Sequence, residues 1–182
     1  MQKHDGDEKV LRALRLRPAT SEDEPFLLNL FATTRSDELA FMNVDENQKR
    51  AFIAMQFNAQ SQQYLMSYPD ANHSIILWDE VPIGRLIVDR GEREFKLVDI
   101  ALLPAHRSAG IGTHLIEELL LEATAARKPV RLNVWHSNPA RNLYQRMGFS
   151  PVNDDGVYSE MCWTPSLSLN KTTPHAQTEG MN

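Results

Sequence analysis

The sequence predicts an α/β domain built on one mixed central sheet of about seven strands flanked by about four helices. Three observations predict it. Apolar residues recur at 111, 115, 116, 119, 120 and 123, with Glu117, Glu118 and Glu122 turned away, which is helical periodicity. Directly before it, residues 95–103 are apolar apart from Lys96 and Asp99 until Pro104 stops them, as in a buried strand. Around this pair the segments follow the order strand, two helices, three strands, helix, strand, helix, two strands.

Residues 11–17 alternate roughly, and Leu14 and Leu16 against Arg15 and Arg17 mark a first strand with one wet face. Ser21 with Glu24 three residues on has the spacing of a capping box, so the first helix should begin near Ser21 and run through Phe26, Leu27, Leu30 and Phe31. Residues 33–43 carry no clear period. Asp45 can cap a second long helix through Phe52, Ile53, Met55, Gln56 and Tyr64, ending before Pro69. Residues 74–78 and 83–89 read as strands around an Asp79-Glu80 turn, and the polar run 89–94 turns the chain into the central strand. After the central helix, residues 130–135 form a short strand. Asn138 then caps a helix with Pro139 at its first position, and Gly148 ends it. Residues 149–152 and 157–163 read as a hairpin about residues 153–156. The organisation expected is a flexible N-terminus over 1–10, a single domain over 11–164 and a disordered, Ser/Thr/Asn/Gln-rich tail over 165–182.

With 182 residues and 42% hydrophobic content the chain can bury a sizeable core. A net charge of −5 disfavours nonspecific binding to nucleic acid. Cys162 is the single cysteine, which excludes an intrachain disulfide and fits a reducing compartment. No apolar run approaches a membrane span, and the first ten residues are too polar for a signal peptide. The expectation is a cytoplasmic protein, monomer or homodimer, with no nucleic-acid or membrane partner. His73, His106 and His114 show no metal-ligand spacing, so no metal is expected.

Between the central strand and its helix lies Arg107-Ser108-Ala109-Gly110-Ile111-Gly112. The first N–H groups of a helix have no partner inside it, and the helix dipole is positive there. Glycines let an anion come close to that backbone, and Arg107 adds a permanent charge. The stretch therefore suits a phosphate; the alternative is a tight turn with no ligand. A dinucleotide fingerprint would place a third glycine at position 115, where Leu115 stands.

The R-x-x-G-x-G pattern after a strand ending in L-L-P resembles the acetyl-coenzyme A signature of the GNAT superfamily of N-acetyltransferases. Residues 138–149, NPARNLYQRMGF, agree with that family's late-helix pattern N-P-A-x-x-L-Y-x-x-x-G-F at every fixed position. The resemblance covers residues 14–163. It implies a GNAT-like mixed sheet in which the fourth strand and the strand after the central helix splay apart to admit acetyl-CoA. It implies that the backbone of Ile100, Ala101 and Leu102 pairs with the pantetheine arm. The pyrophosphate would sit on the loop of Arg107, Ser108, Ala109, Gly110, Ile111, Gly112 and Thr113. Asn138 is first an N-cap and only secondarily a cofactor contact. Tyr144 would protonate the departing thiolate, or else pack beneath the cofactor.

The implied activity is N-acetyl transfer to a primary amine of a small molecule or peptide; the alternative is a CoA-binding regulatory or scaffolding module. A lysine amine is neutral in only about one molecule in a thousand at pH 7, so a base is expected. Strand alternation would put Asp99 on the face of Phe95, Leu97 and Ala101, where desolvation strengthens a carboxylate as a base. The competing reading is an ion pair with Arg85, which a turn near residues 91–92 would bring close. His136 is a second candidate base. Residues 21–46 hold Glu22, Asp23, Glu24, Asp37, Glu38, Asp45 and Glu46 against Arg35. Such a wall would favour a cationic acceptor, unless these acids simply serve helix starts and wet faces.

Overall fold

The computed structural model describes residues 14–36, 41 and 43–166. The strands are β1 Leu14–Pro18, β2 Asn72–Trp78, β3 Val81–Arg90, β4 Phe95–Leu102, β5 Val130–Trp135, β6 Ser150–Asp154 and β7 Tyr158–Trp163. They form one seven-stranded sheet in the order β1-β2-β3-β4-β5-β7-β6. The pair β4 and β5 is parallel, and the other neighbours are antiparallel. Among the described residues there are four α-helices: α1 Glu24–Thr34, α2 Glu46–Ser67, α3 Ile111–Ala126 and α4 Ala140–Arg146. This is the mixed α/β architecture the periodicities predict. Residues 1–10 and 167–182 of the expected ends lie outside the described residues.

A parallel neighbour needs a crossover, and α3 supplies it between β4 and β5. Its buried stripe of Ile111, Leu115, Ile116, Leu119 and Ala123 packs on Val88, Phe95, Leu97, Val130 and Leu132 of the sheet. Each fully buried side chain of this kind contributes about 1.5–3 kcal/mol. The opposite face carries α2, whose Gln60 and Tyr64 meet Arg85 of β3. There Phe31, Ile53 and Phe57 hold α1 and α2 together.

The first helix starts one residue earlier in its capping than the sequence suggests. The box is formed by Thr20 and Asp23, not Ser21 and Glu24, and a single 3-10 turn over Ser21–Asp23 precedes α1. The Asp23 carboxylate accepts from the Thr20 backbone N–H at 2.8 Å and from both Nη groups of Arg17 at 2.7 and 2.6 Å. Its burial explains the shift: Asp23 faces inward, so it takes the cap and the ion pair together. Asp45 caps α2 as expected, accepting from Asn47 and Gln48 N–H at 2.8 and 2.9 Å. Among the described residues no helix is long and apolar enough to cross a membrane.

Candidate active site

Two of the sheet's strands part. β4 and β5 pair at Phe95–Val130, Lys96–Arg131 and Leu97–Leu132, and the pairing stops there although β4 continues to Leu102 and β5 to Trp135. The expected splay is present, and Ile100, Ala101 and Leu102 all lie beyond the last pair.

A bulge in β4 changes which side chains face where. Ile87 opposes Asp99, and Val88 opposes Leu97, so Val98 is an extra residue. Ile100 and Leu102 therefore join Phe95 and Leu97 on the α3 face. Asp99 and Ala101 turn to the α2 face with Arg85 and Ile87. The expectation that Asp99 shares a face with Phe95 and Leu97 is corrected by this one residue; its company with Ala101 stands.

On the α2 face Asp99 meets Arg85, the pairing that the hairpin geometry allows. Arg85 Nε donates to Asp99 Oδ2 at 2.7 Å, and Nη2 lies 2.7 Å from the same oxygen. Nη2 also donates to Gln60 Oε1 at 3.1 Å. The guanidinium lies 5.9 Å from the centre of the Tyr64 ring. Burial first, and then Asp99, push the Tyr64 hydroxyl well above its usual range. His73, opposite Ile87 on the same face, is pushed down by burial and then by Arg85, so its ring is neutral at pH 7.

On the other face Tyr144 comes in from α4. It is 7% exposed, and its ring packs edge-on against Phe149 with centroids 5.8 Å apart. Burial pushes its hydroxyl up to about 12, and the negative charge of Asp99 adds to the shift. The two groups thus feel each other although they approach from opposite faces. Asn138 Oδ1 accepts from Ala140 N–H at 2.9 Å and its carbonyl accepts from Arg141 N–H at 3.0 Å, so it braces the turn ahead of α4, but the cap position expected of it is taken by Pro139 and the helix begins at Ala140.

The loop after β4 opens α3 without a side-chain cap and without an acid in the first turn. Ser108 and Gly110 adopt φ of 59° and 81°, the left-handed region. A Cβ at Gly112 would meet nothing within 4 Å. A helix N-terminus with uncapped N–H groups and room above its second residue fits a phosphate group. Arg107 does not hang free: Nε donates to Leu102 O at 2.9 Å and Nη2 to Thr33 Oγ1 at 3.2 Å, tying the loop to β4 and α1.

Two expectations weaken on this geometry. His136 sits between Arg141 Nη1 at 3.1 Å from its Nδ1 and Asp154 Oδ1 at 2.8 Å from its Nε2. Arginine only donates, so Nδ1 is an acceptor and Nε2–H donates to Asp154. Neither nitrogen is left for a substrate proton. Of the acids over 21–46, Asp23 is held by Arg17, Asp45 caps α2 and Glu46 pairs with Lys49 at 3.0 Å. Asp37 and Glu38 lie outside the described residues. Sequence reasoning did not assign Gln60 and Tyr64 to the site. Their one visible signal is that they stand one turn apart on a helix whose partner strand carries a lone Arg85 among apolar residues.

Residues 69–151 match the family model of the acetyltransferase (GNAT) domain. Solved structures with a similar fold include the PaiA N-acetyltransferase of Thermoplasma acidophilum in complex with coenzyme A, at 18% identity and TM-score 0.61, covering 83% of this chain and 98% of that one. An acetyltransferase of Thermus thermophilus is 21% identical at TM-score 0.61, covering 84% and 97%. A GNAT family acetyltransferase of Elizabethkingia anophelis with acetyl-CoA bound is 15% identical at TM-score 0.53, covering 84% and 98%.

Proposed function

On the premise that this chain carries a GNAT acetyltransferase domain, we propose that it moves the acetyl group of acetyl-CoA to a primary amine of a small molecule or peptide by direct attack on the thioester. The observation that carries this reading is the parting of β4 and β5, with Asp99 on one face and Tyr144 on the other. The uncapped start of α3 at residues 107–113 would hold the pyrophosphate through backbone N–H groups. The backbone of Ile100, Ala101 and Leu102, beyond the last β4–β5 pair, is available to a strand-like arm.

In the transfer a C–N bond forms as the C–S bond breaks, and one amine proton leaves. Asp99 is our candidate to receive that proton, with Arg85 fixing the orientation of the carboxylate. Tyr144 retains its own proton throughout the neutral range. A free thiol titrates near 8.5, so full transfer from a phenol at about 12 would cost about 5 kcal/mol. Tyr144 therefore acts chiefly as a hydrogen-bond donor to the charge developing on sulfur.

Two measurements test this. Acetyl-CoA at 100 times its Kd should stabilise the protein by about 2.7 kcal/mol, read as a melting shift. Free thiol should then appear on addition of an acceptor amine. No shift at millimolar acetyl-CoA rejects the whole reading; a shift without thiol release on any amine favours the CoA-binding module.

A further inference from the structure

We propose that the acceptor is an α-aminoacyl group, an amine and a carbonyl oxygen on adjacent carbons, read by the Arg85–Asp99 pair. This rests on the transferase reading above and names its substrate class. The ion pair is made through one carboxylate oxygen: Arg85 Nε and Nη2 both lie 2.7 Å from Asp99 Oδ2. Asp99 Oδ1 and Arg85 Nη1 have no partner among the described residues. The Arg85 side chain is only 9% exposed, yet Nη1 is not among the buried polar atoms that lack a partner, so this nitrogen is within reach of solvent. Asp99, at 21%, still reaches solvent. One acceptor oxygen on β4 and one donor nitrogen on the neighbouring β3 are thus left open by the same ion pair, next to the place where the sheet parts. An α-aminoacyl group is the complement, with N–H for Asp99 and C=O for Arg85.

Charge points the same way. Asp99 already carries its own counter-ion, so a second positive charge on the acceptor would meet Arg85. Of the acids over 21–46 that could draw a polycation, Asp23 is engaged by Arg17 and Glu46 by Lys49. An α-amine at a peptide terminus is also neutral in roughly 10% of molecules at pH 7, against about one in a thousand for a lysine amine. Tyr64 and Gln60 hold the guanidinium in place from α2, and both lie outside the family-matched span, where acceptor choice would be individual to this chain.

The test uses the full chain with saturating acetyl-CoA and measures thiol release. The acceptors are L-alaninamide, L-alanine, L-alanyl-L-alanine, 2-aminopropane and Nα-acetyl-lysine amide. 2-Aminopropane is alaninamide with the whole carboxamide replaced by methyl. With each kcat/KM corrected for the neutral fraction of its amine, the α-aminoacyl compounds should still exceed 2-aminopropane and the lysine ε-amine by about 100-fold or more, since a site that hydrogen-bonds a group rejects the analogue lacking it. Alanine against the dipeptide tells a free amino acid from a peptide terminus. Arg85→Lys should cut the ratio by tenfold or more, mainly through KM, while the acetyl-CoA melting shift persists. Equal turnover of 2-aminopropane, or of the ε-amine, overturns the acceptor assignment and leaves the transferase standing. An unchanged ratio in Arg85→Lys overturns the role of Arg85. Thiol release on no amine, with acetyl-CoA bound, brings down the transferase reading and this assignment together.

Discussion

Tyr144 packs deeply against Phe149, and burial together with the charge of Asp99 keeps its proton in place throughout the neutral range. Removing one hydroxyl by Tyr144→Phe should leave the Kd for acetyl-CoA within about threefold and lower turnover about 100-fold, because the bond is made in the transition state. Isothermal titration and thiol release measure the two separately; unchanged turnover would leave Tyr144 as packing. Its titration also makes a stability prediction. The folded value of about 12 lies above the unfolded value near 10, so the stabilisation is full below pH 10 and is lost as pH rises to about 12. Over that window wild type should lose more stability in urea melts than Tyr144→Phe. At this scale the helix that carries Tyr144 was legible because local motif spacing fixes it. The Asp99 contact with Arg85 was legible from hairpin geometry, but its face was not. Val98 bulges with no glycine or proline to announce it, and one extra residue reverses the alternation.

Two glycines separate what the elements need for themselves from what a ligand needs. A Cβ at Gly112 meets open space, and alanine is the better helix residue by about 1 kcal/mol. Gly112→Ala should therefore melt at the same or a higher temperature without ligand, yet lose most of the acetyl-CoA shift. A retained shift would take the phosphate away from this helix start. Gly84 differs: a Cβ there would lie 2.4 Å from Ala101 O and 2.7 Å from Leu102 Cδ2. Because the first of these is backbone, Gly84→Ala must push β3 from β4, at a cost of about 1–3 kcal/mol. The displaced segment is the one proposed to hold the pantetheine arm, so affinity should fall along with stability. Calorimetry that showed neither loss would mean that β4 yields freely there. Helix boundaries were legible from caps to within a residue or so. Where they slipped, at Thr20, the reason was burial: Asp23 faces inward and takes the cap together with an ion pair to Arg17, six residues earlier, which the capping pattern does not read.

Across the molecule, the residues that matched the family span β2 to the start of β6 and include the parting of the strands, the loop and Tyr144. The helices α1 and α2, which bring Thr33, Gln60 and Tyr64 to that region, lie before it. The family-matched elements were thus readable from motifs, while the surroundings of Arg85 depend on which helix lands over which strand, a long-range outcome. The parting has a further consequence. A sheet normally has two rims, and this one has a third place, inside its width, where the amides of 98–102 on the edge of β4 turned away from β3 lack a partner strand past the last rung at Leu97–Leu132. Such a rim would ordinarily invite a foreign strand. Here it should serve as a reporter. In deuterium-exchange experiments these amides should exchange faster than those of 95–97 without ligand, and slow markedly when acetyl-CoA is added, while exchange along β1 and β2 stays the same. The guest would complete a row of hydrogen bonds that the chain starts and does not finish.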